Sequence, residues 1–165
     1  MAIVYLQLGS DIGNRLKNLQ EAVVFLEKAI GKVLQKSFVY ETEPWQMNDT
    51  QFFLNQVVAS ETVLEPLVLL QKLKEYEILQ GRQQREGRNE PYKRRIIDLD
   101  ILFYDSLVME TKDLIIPHPL MPERRFVLQP LADLIPNFEH PVLKKTVNTL
   151  LHECADTMEV RIYEE

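Results

Sequence analysis

At 165 residues, 45% hydrophobic and 27% charged, the chain is long enough for one domain, 1–165, with a core of its own. No apolar run approaches the roughly 20 residues of a membrane-spanning helix. The start "MAIVYLQLGSD" lacks a signal peptide's basic segment and cleavage site, and a single cysteine, Cys154, excludes a disulfide framework, so a cytoplasmic protein is expected.

The net charge of −6 speaks against a general nucleic-acid binder. Its distribution is uneven. Arg82, Arg85, Arg88, Lys93, Arg94 and Arg95 stand against only Glu86 and Glu90, so this stretch carries +4 and the rest of the chain −10. A basic loop on an acidic protein points to a local anionic ligand.

In chain order, "AIVYLQLG" is β-branched and aromatic and closes on Gly9, which predicts a strand and a turn. Leu16, Leu19, Val23, Leu26 and Ile30 then recur at helical spacing up to Gly31. "KVLQKSFVYETEP" alternates as a second strand ending at Pro44, and "FFLNQVVASETV" is a third. Pro66 suits a first helical turn, and Leu67, Leu70 and Leu73 carry that helix to Gly81. After the basic loop, "RRIIDLDILFYD" reads as a strand. "YDSLVMETKDLIIPHP" is a short excursion returning in extended form to Pro117. "RRFVLQPLADL" predicts a short helix, and Val147, Leu150, Leu151 and Cys154 a one-sided C-terminal one. The order β-α-β-β-α-β is that of a ferredoxin-like α+β fold, an antiparallel sheet with helices on one face and C-terminal additions. The other face is open to a ligand.

Asp98 and Asp100 lie two apart in a strand, so they share a face while Ile97, Leu99 and Ile101 point into the core. Two readings stand: both carboxylates are solvated or paired with nearby arginines, or they hold a divalent cation. Mg²⁺ takes one or two carboxylates together with phosphate oxygens and water. The arginine-rich loop beside them supplies guanidinium forks that match phosphate, a pairing of the kind phosphoryl-transfer sites use. A solvated surface loop is the alternative. In "IIPHPLMPERRF", His118 is held between prolines and followed by Arg124 and Arg125; a histidine so placed can donate to phosphate, and an ordinary surface or core histidine is the alternative. Phe53 and Asn55 also share a strand face; taken alone they read first as a partly buried aromatic and a turn-forming asparagine, and otherwise as an aromatic to stack a flat ring and an amide to read its edge. No P-loop or dinucleotide fingerprint is present.

These blocks together resemble the 6-hydroxymethyl-7,8-dihydropterin pyrophosphokinase family. The resemblance runs in order through "YLQLGSDIGNR", "VYETEP", "FFLN", Glu77 with "QGR", "RIIDLDIL" and "IPHPLMPERRFVLQPL", covering about residues 4 to 131. It implies transfer of pyrophosphate from ATP to the pterin's hydroxymethyl group, with release of AMP, in folate biosynthesis. It also implies that Asp98 and Asp100 bind two Mg²⁺ ions, and that Arg82 and Arg95 serve catalysis. ATP would meet Glu77, Arg82, Arg95, His118 and Arg124, and the pterin Thr42, Phe53, Asn55 and Phe126. The chain departs from the family pattern in Asp11, where asparagine is usual, and in "YKRR", with Tyr92 where Trp-Gly-Pro-Arg begins. Its basic loop, the family's lid, is also longer. The expected partners are the two small-molecule substrates alone, with no nucleic acid and no membrane, and the expected state is a monomer. A Mg-dependent nucleotidyltransferase and a non-catalytic ferredoxin-like ligand-binding module are the other two readings. Release of pyrophosphate instead of AMP, or no dependence on metal, distinguishes them.

Overall fold

The computed structural model describes residues 1–42, 52–85 and 96–164, the side chains of 82–85 excepted. β1 (Ala2–Ser10) leads into α1 (Arg15–Ala29), whose first turn is capped by Asn14, its side chain accepting from the Lys17 amide at 3.1 Å. α1 ends where the amides of Ile30 and Gly31 both donate to the Leu26 carbonyl. The chain there runs hard against a neighbouring strand: a Cβ on Gly31 would stand 1.8 Å from the Glu61 carbonyl oxygen. The glycine expected as a simple helix stop thus also permits a close backbone approach.

The single alternating strand expected over 32–44 is two strands, β2 (Val33–Lys36) and β3 (Tyr40–Thr42), both paired with β4 (Phe53–Thr62). Ser37 makes the break. Its hydroxyl accepts from the Val57 amide at 2.9 Å and donates to the Phe38 carbonyl at 2.7 Å, so a side chain takes up bonding that a continuous ladder would use. α2 (Pro66–Arg85) begins at the expected proline but continues past Gly81. Arg82, expected just beyond the helix, therefore has its backbone inside the last turn. β5 (Asp98–Tyr104) follows, then a hairpin of β6 (Met109–Glu110) and β7 (Ile115–Ile116). α3 (Arg125–Leu134), α4 (Val147–Glu153) and β8 (Val160–Ile162) complete the chain. β8 was not expected; it pairs with β3 and widens the sheet.

The sheet runs β5-β1-β4-β3-β8, every pair antiparallel, with β2 also on β4. This is the ferredoxin-like arrangement. α1 and α2 cover one face, where Leu19, Leu26, Leu69 and Leu73 pack on Leu6, Leu8, Leu54 and Leu99. The C-terminal helices α3 and α4 cover part of the other, through Val127, Leu128, Leu131 and Leu150 against Val57 and Phe103. β5 serves both cores. Its ladder slips by one residue between Ile101 and Phe103, a bulge that sends Leu102 and Phe103 to the second core while Leu99 and Ile101 remain in the first. The oily run of the sequence is explained by burial on two sides. Among the described residues no helix is long and apolar enough to cross a membrane.

Replacing Gly31 by alanine forces β4 and the α1 terminus apart. The expected loss is on the order of 1–3 kcal/mol, read as a lower urea midpoint with an unchanged slope.

Candidate active site

β1 is paired along both edges, and the two registers line up a row across the sheet. Asp98 lies opposite Gly9, Gly9 opposite Asn55, and Asn55 opposite Tyr40. The neighbouring rows set Asp100 opposite Gln7 and Phe53 opposite Thr42. Opposed residues share a face, so Asp98, Asp100, Phe53, Asn55 and Thr42 all stand on the side away from α1 and α2. Gly9 has no side chain to fill the middle of the row. The metal and pterin candidates therefore face one floor, about 10 Å apart at the backbone, two strand spacings.

At the β3 end the polar groups are interlocked. Asn55, 3% exposed, accepts from Gln7 Nε2 at 3.1 Å and donates from Nδ2 to Thr42 Oγ1 at 3.0 Å. Phe53 is half-buried, and Phe126 is half-buried at the first turn of α3. α3 is tied over this end of the sheet by Tyr40, whose hydroxyl donates to the Asp133 carboxylate at 2.8 and 3.0 Å. Burial, then the Asp133 contact, pushes the Tyr40 hydroxyl's pKa well up, so it remains a donor. Glu41 forms the rim. It accepts from Arg15 at 2.9 Å and from Arg161 of β8 at 3.4 Å, while Arg15 also donates to the Phe52 carbonyl at 2.6 Å.

At the β5 end, Asp98 and Asp100 are half-exposed. Behind them Glu77 of α2 is 3% exposed, and its Oε2 accepts from the Leu99 amide at 2.6 Å. Burial raises the Glu77 pKa most, with the charges of Asp98 and Asp100 adding to the rise, while the Leu99 amide and Lys74, 3.3 Å away, oppose it. Glu77, expected beside the nucleotide, thus holds the backbone between the two aspartates. His118 sits beyond Asp100. Its Nδ1 accepts from the Leu120 amide at 3.2 Å, so a neutral ring carries its proton on Nε2 and can donate outward. Burial lowers its pKa most; Asp100 opposes, and Arg124 and Lys74 reinforce the fall. Arg124 lies over the Phe126 ring at 5.7 Å, joining the phosphate and pterin candidates.

A cavity of about 240 Å³ opens between α2, β5 and the β6–β7 hairpin, lined by Leu70, Lys74, Asp100, Ile101, Lys112, Leu114, Ile115 and His118 among others. Lys74 and Lys112 were not singled out in the sequence, because isolated lysines on a helix and a turn carry no pattern. Gln7 and the Glu41 rim were missed for a similar reason: each acquires meaning only through strand register. Asp11, 1% exposed, is partnered within the fold. Arg95, with Arg88, Tyr92 and Arg94, lies outside the described residues, as do the side chains of Arg82 and Arg85.

Residues 5–136 match the family model for 7,8-dihydro-6-hydroxymethylpterin-pyrophosphokinase. The chain belongs to this family. Among relatives, the 2-amino-4-hydroxy-6-hydroxymethyldihydropteridine pyrophosphokinase of Aquifex aeolicus is 39% identical over 147 residues, 88% of each chain. That of Bacillus subtilis is 43% identical over 83% of this chain and 80% of its own. A folic acid synthesis protein of Dictyostelium discoideum is 42% identical over 90% of this chain, which spans only 22% of that longer protein. A Plasmodium falciparum HPPK-DHPS structure superposes with a TM-score of 0.76 at 21% identity, over 92% of this chain and 44% of that one, and supports the fold. The residues matched by the family model, 5–136, include the two neighbouring sheet rows that carry Asp98 and Asp100.

Because burial raises its pKa, Glu77 favours the acid form in the fold. Its contribution to stability is therefore greatest below the ordinary value of 4.5 and is lost as pH rises through the raised one. Glu77→Gln removes that titration. The stability of the variant relative to the native chain is expected to climb as pH rises above 4.5, measured by urea unfolding at a series of pH values.

Proposed function

We propose that this chain transfers the pyrophosphoryl group of ATP to the hydroxymethyl oxygen of 6-hydroxymethyl-7,8-dihydropterin. The observation that carries the reading is the row Asp98–Gly9–Asn55. It sets hard oxygen donors at one end of an open floor and a heterocycle-reading amide at the other.

The pterin lies over Gly9, between Phe53 and Phe126, with its polar edge on Asn55 and Thr42 and its alcohol toward Asp98. The adenine enters the cavity beside β5. At about 240 Å³ it is smaller than the roughly 300–1,000 Å³ of a whole-ligand pocket, which fits one ring system with the phosphates outside. Leu70, Ile101, Leu114 and Ile115 give that ring apolar walls. The triphosphate then runs past Lys74 and His118 toward Arg124, where the neutral His118 donates from Nε2 and the guanidinium neutralises charge. Arg82 and Arg95 serve the same group from the basic segment.

Asp98 and Asp100 are the residues that would hold Mg²⁺, two ions in the family. The fit rests on their chemistry: two half-exposed carboxylates on one face, with Glu77 kept behind them by its bond to the Leu99 amide. Mg²⁺ takes one or two carboxylates and completes its shell with phosphate oxygens and water. When bound, Mg²⁺ would supply charge neutralisation for the phosphates. The chain's own residues align the partners. The alcohol oxygen attacks the β-phosphorus in line, the bond from that phosphorus to the α-phosphate oxygen breaks, AMP departs, and the alcohol proton passes to solvent. No side chain acts as a nucleophile.

The test is incubation with ATP, Mg²⁺ and the pterin. AMP in step with pterin consumption is expected, whereas pyrophosphate would mean attack at the α-phosphorus and a nucleotidyltransferase. Asp98→Ala and Asp100→Ala are each expected to lower kcat/KM about 1,000-fold or more, several kcal/mol of transition-state stabilisation, in chains that still fold. Near-native turnover in either overturns the reading.

A further inference from the structure

Gln7 sits in the middle of β1 at 4% exposure, in register with Asp100 on one side and Val57 on the other. A buried amide has two donors and one acceptor to satisfy. Here Nε2 donates to Asn55 Oδ1, but Oε1 is buried with no partner among the described residues. Such a group is costly, and an apolar side chain would fill the site without that cost. Something offsets it.

The hydrogen-bond chain through Gln7 has a direction. Gln7 donates to the Asn55 oxygen, and the Asn55 nitrogen donates to Thr42 Oγ1. Asn55 therefore turns its acceptor toward β1 and its donor toward β3. Thr42, having accepted, keeps its own proton to donate elsewhere. Gly9 leaves the space for this: a Cβ there would stand 3.2 Å from Asn55 Oδ1. A cyclic amide edge such as a pterin's places N–H and C=O side by side. A carboxamide in the matching order makes two bonds to it; reversed, it sets donor against donor and acceptor against acceptor.

We infer that Gln7 is a positioning residue: by donating to Asn55 Oδ1 it sets the orientation of the Asn55 amide and the Thr42 hydroxyl, and so the donor–acceptor order offered to the heterocycle. The inference deepens the pterin reading and rests on it. Among the described residues the side-chain hydrogen bond of Gln7 runs to Asn55, at the end proposed for the pterin, so its effect is expected in pterin binding and not in ATP binding.

The experiment compares the native chain with Gln7→Met, which keeps the volume and removes both polar ends. Binding of 6-hydroxymethyl-7,8-dihydropterin and of a non-hydrolysable ATP analogue is measured by calorimetry, and Tm is measured without ligand. The expected result is a pterin Kd raised about tenfold, the scale of one hydrogen bond. The ATP-analogue Kd stays within twofold, and Tm is equal to or above native because the orphan acceptor is gone. Thr42→Val cuts the same chain at its other end, and the double variant is expected to lose less than the two single losses combined. A native pterin Kd in Gln7→Met overturns the inference, as does equal weakening of both ligands. Failure of both Gln7→Met and Gln7→Leu to fold also overturns it, by making Gln7 a structural necessity. If the native chain itself does not bind the pterin, the parent reading fails first, and that outcome is distinguishable from the others.

Discussion

The two ladders of β1 are the constraint on which the site depends. β4 pairs along one edge from Ala2 to Ser10 and β5 along the other from Val4 to Gly9. Because strand side chains alternate, a slip of one residue in either ladder would turn half the site into the helix-packed core. The apolar residues of β1 enforce the register: Val4, Leu6 and Leu8 are fully buried beneath α1 and α2. The same alternation delivers Gln7 and Gly9 to the opposite face. Core packing thus sets the geometry of the candidate site, and the bulge after Ile101 lets β5 return to the second core without disturbing the aspartates.

Around that floor the fold places walls of different kinds. The end proposed for the pterin is held by polar interlocks, Gln7 to Asn55 to Thr42, and by α3 through Tyr40 and Asp133. The end proposed for the nucleotide is more open and more charged. There Glu77 is kept behind β5 by a backbone bond, and burial lowers the pKa of His118 against the opposing charge of Asp100. A rigid reading end and a charged, water-accessible end suit a reaction whose chemistry is mostly alignment of phosphates.

Much of this was legible in the sequence because it follows from period-two patterning. Asp98 with Asp100 and Phe53 with Asn55 lie two apart in strands, and both pairs share the face expected. The order of elements identified the fold for the same reason. What escaped was whatever depends on long-range pairing. Ser37 splits a strand that looked continuous because its hydroxyl meets Val57, twenty residues away. β8 is three residues long, too short for alternation to announce, and exists through β3. Gln7 looked like one polar residue in a strand; only its distance to Asn55 gives it a part. The helix-end position expected for Arg82 failed because α2 tolerates Gly81 and continues to Arg85.

The central claim is that one sheet face carries both the metal-binding carboxylates and the pterin-reading amide. A crystal structure with Mg²⁺, a non-hydrolysable ATP analogue and 6-hydroxymethyl-7,8-dihydropterin tests it most directly. The account predicts Mg²⁺ within about 2.1 Å of carboxylate oxygens from Asp98 and Asp100, and the pterin between Phe53 and Phe126 with its edge on Asn55. A triphosphate bound away from β5, or a pterin on the face covered by α1 and α2, would contradict it.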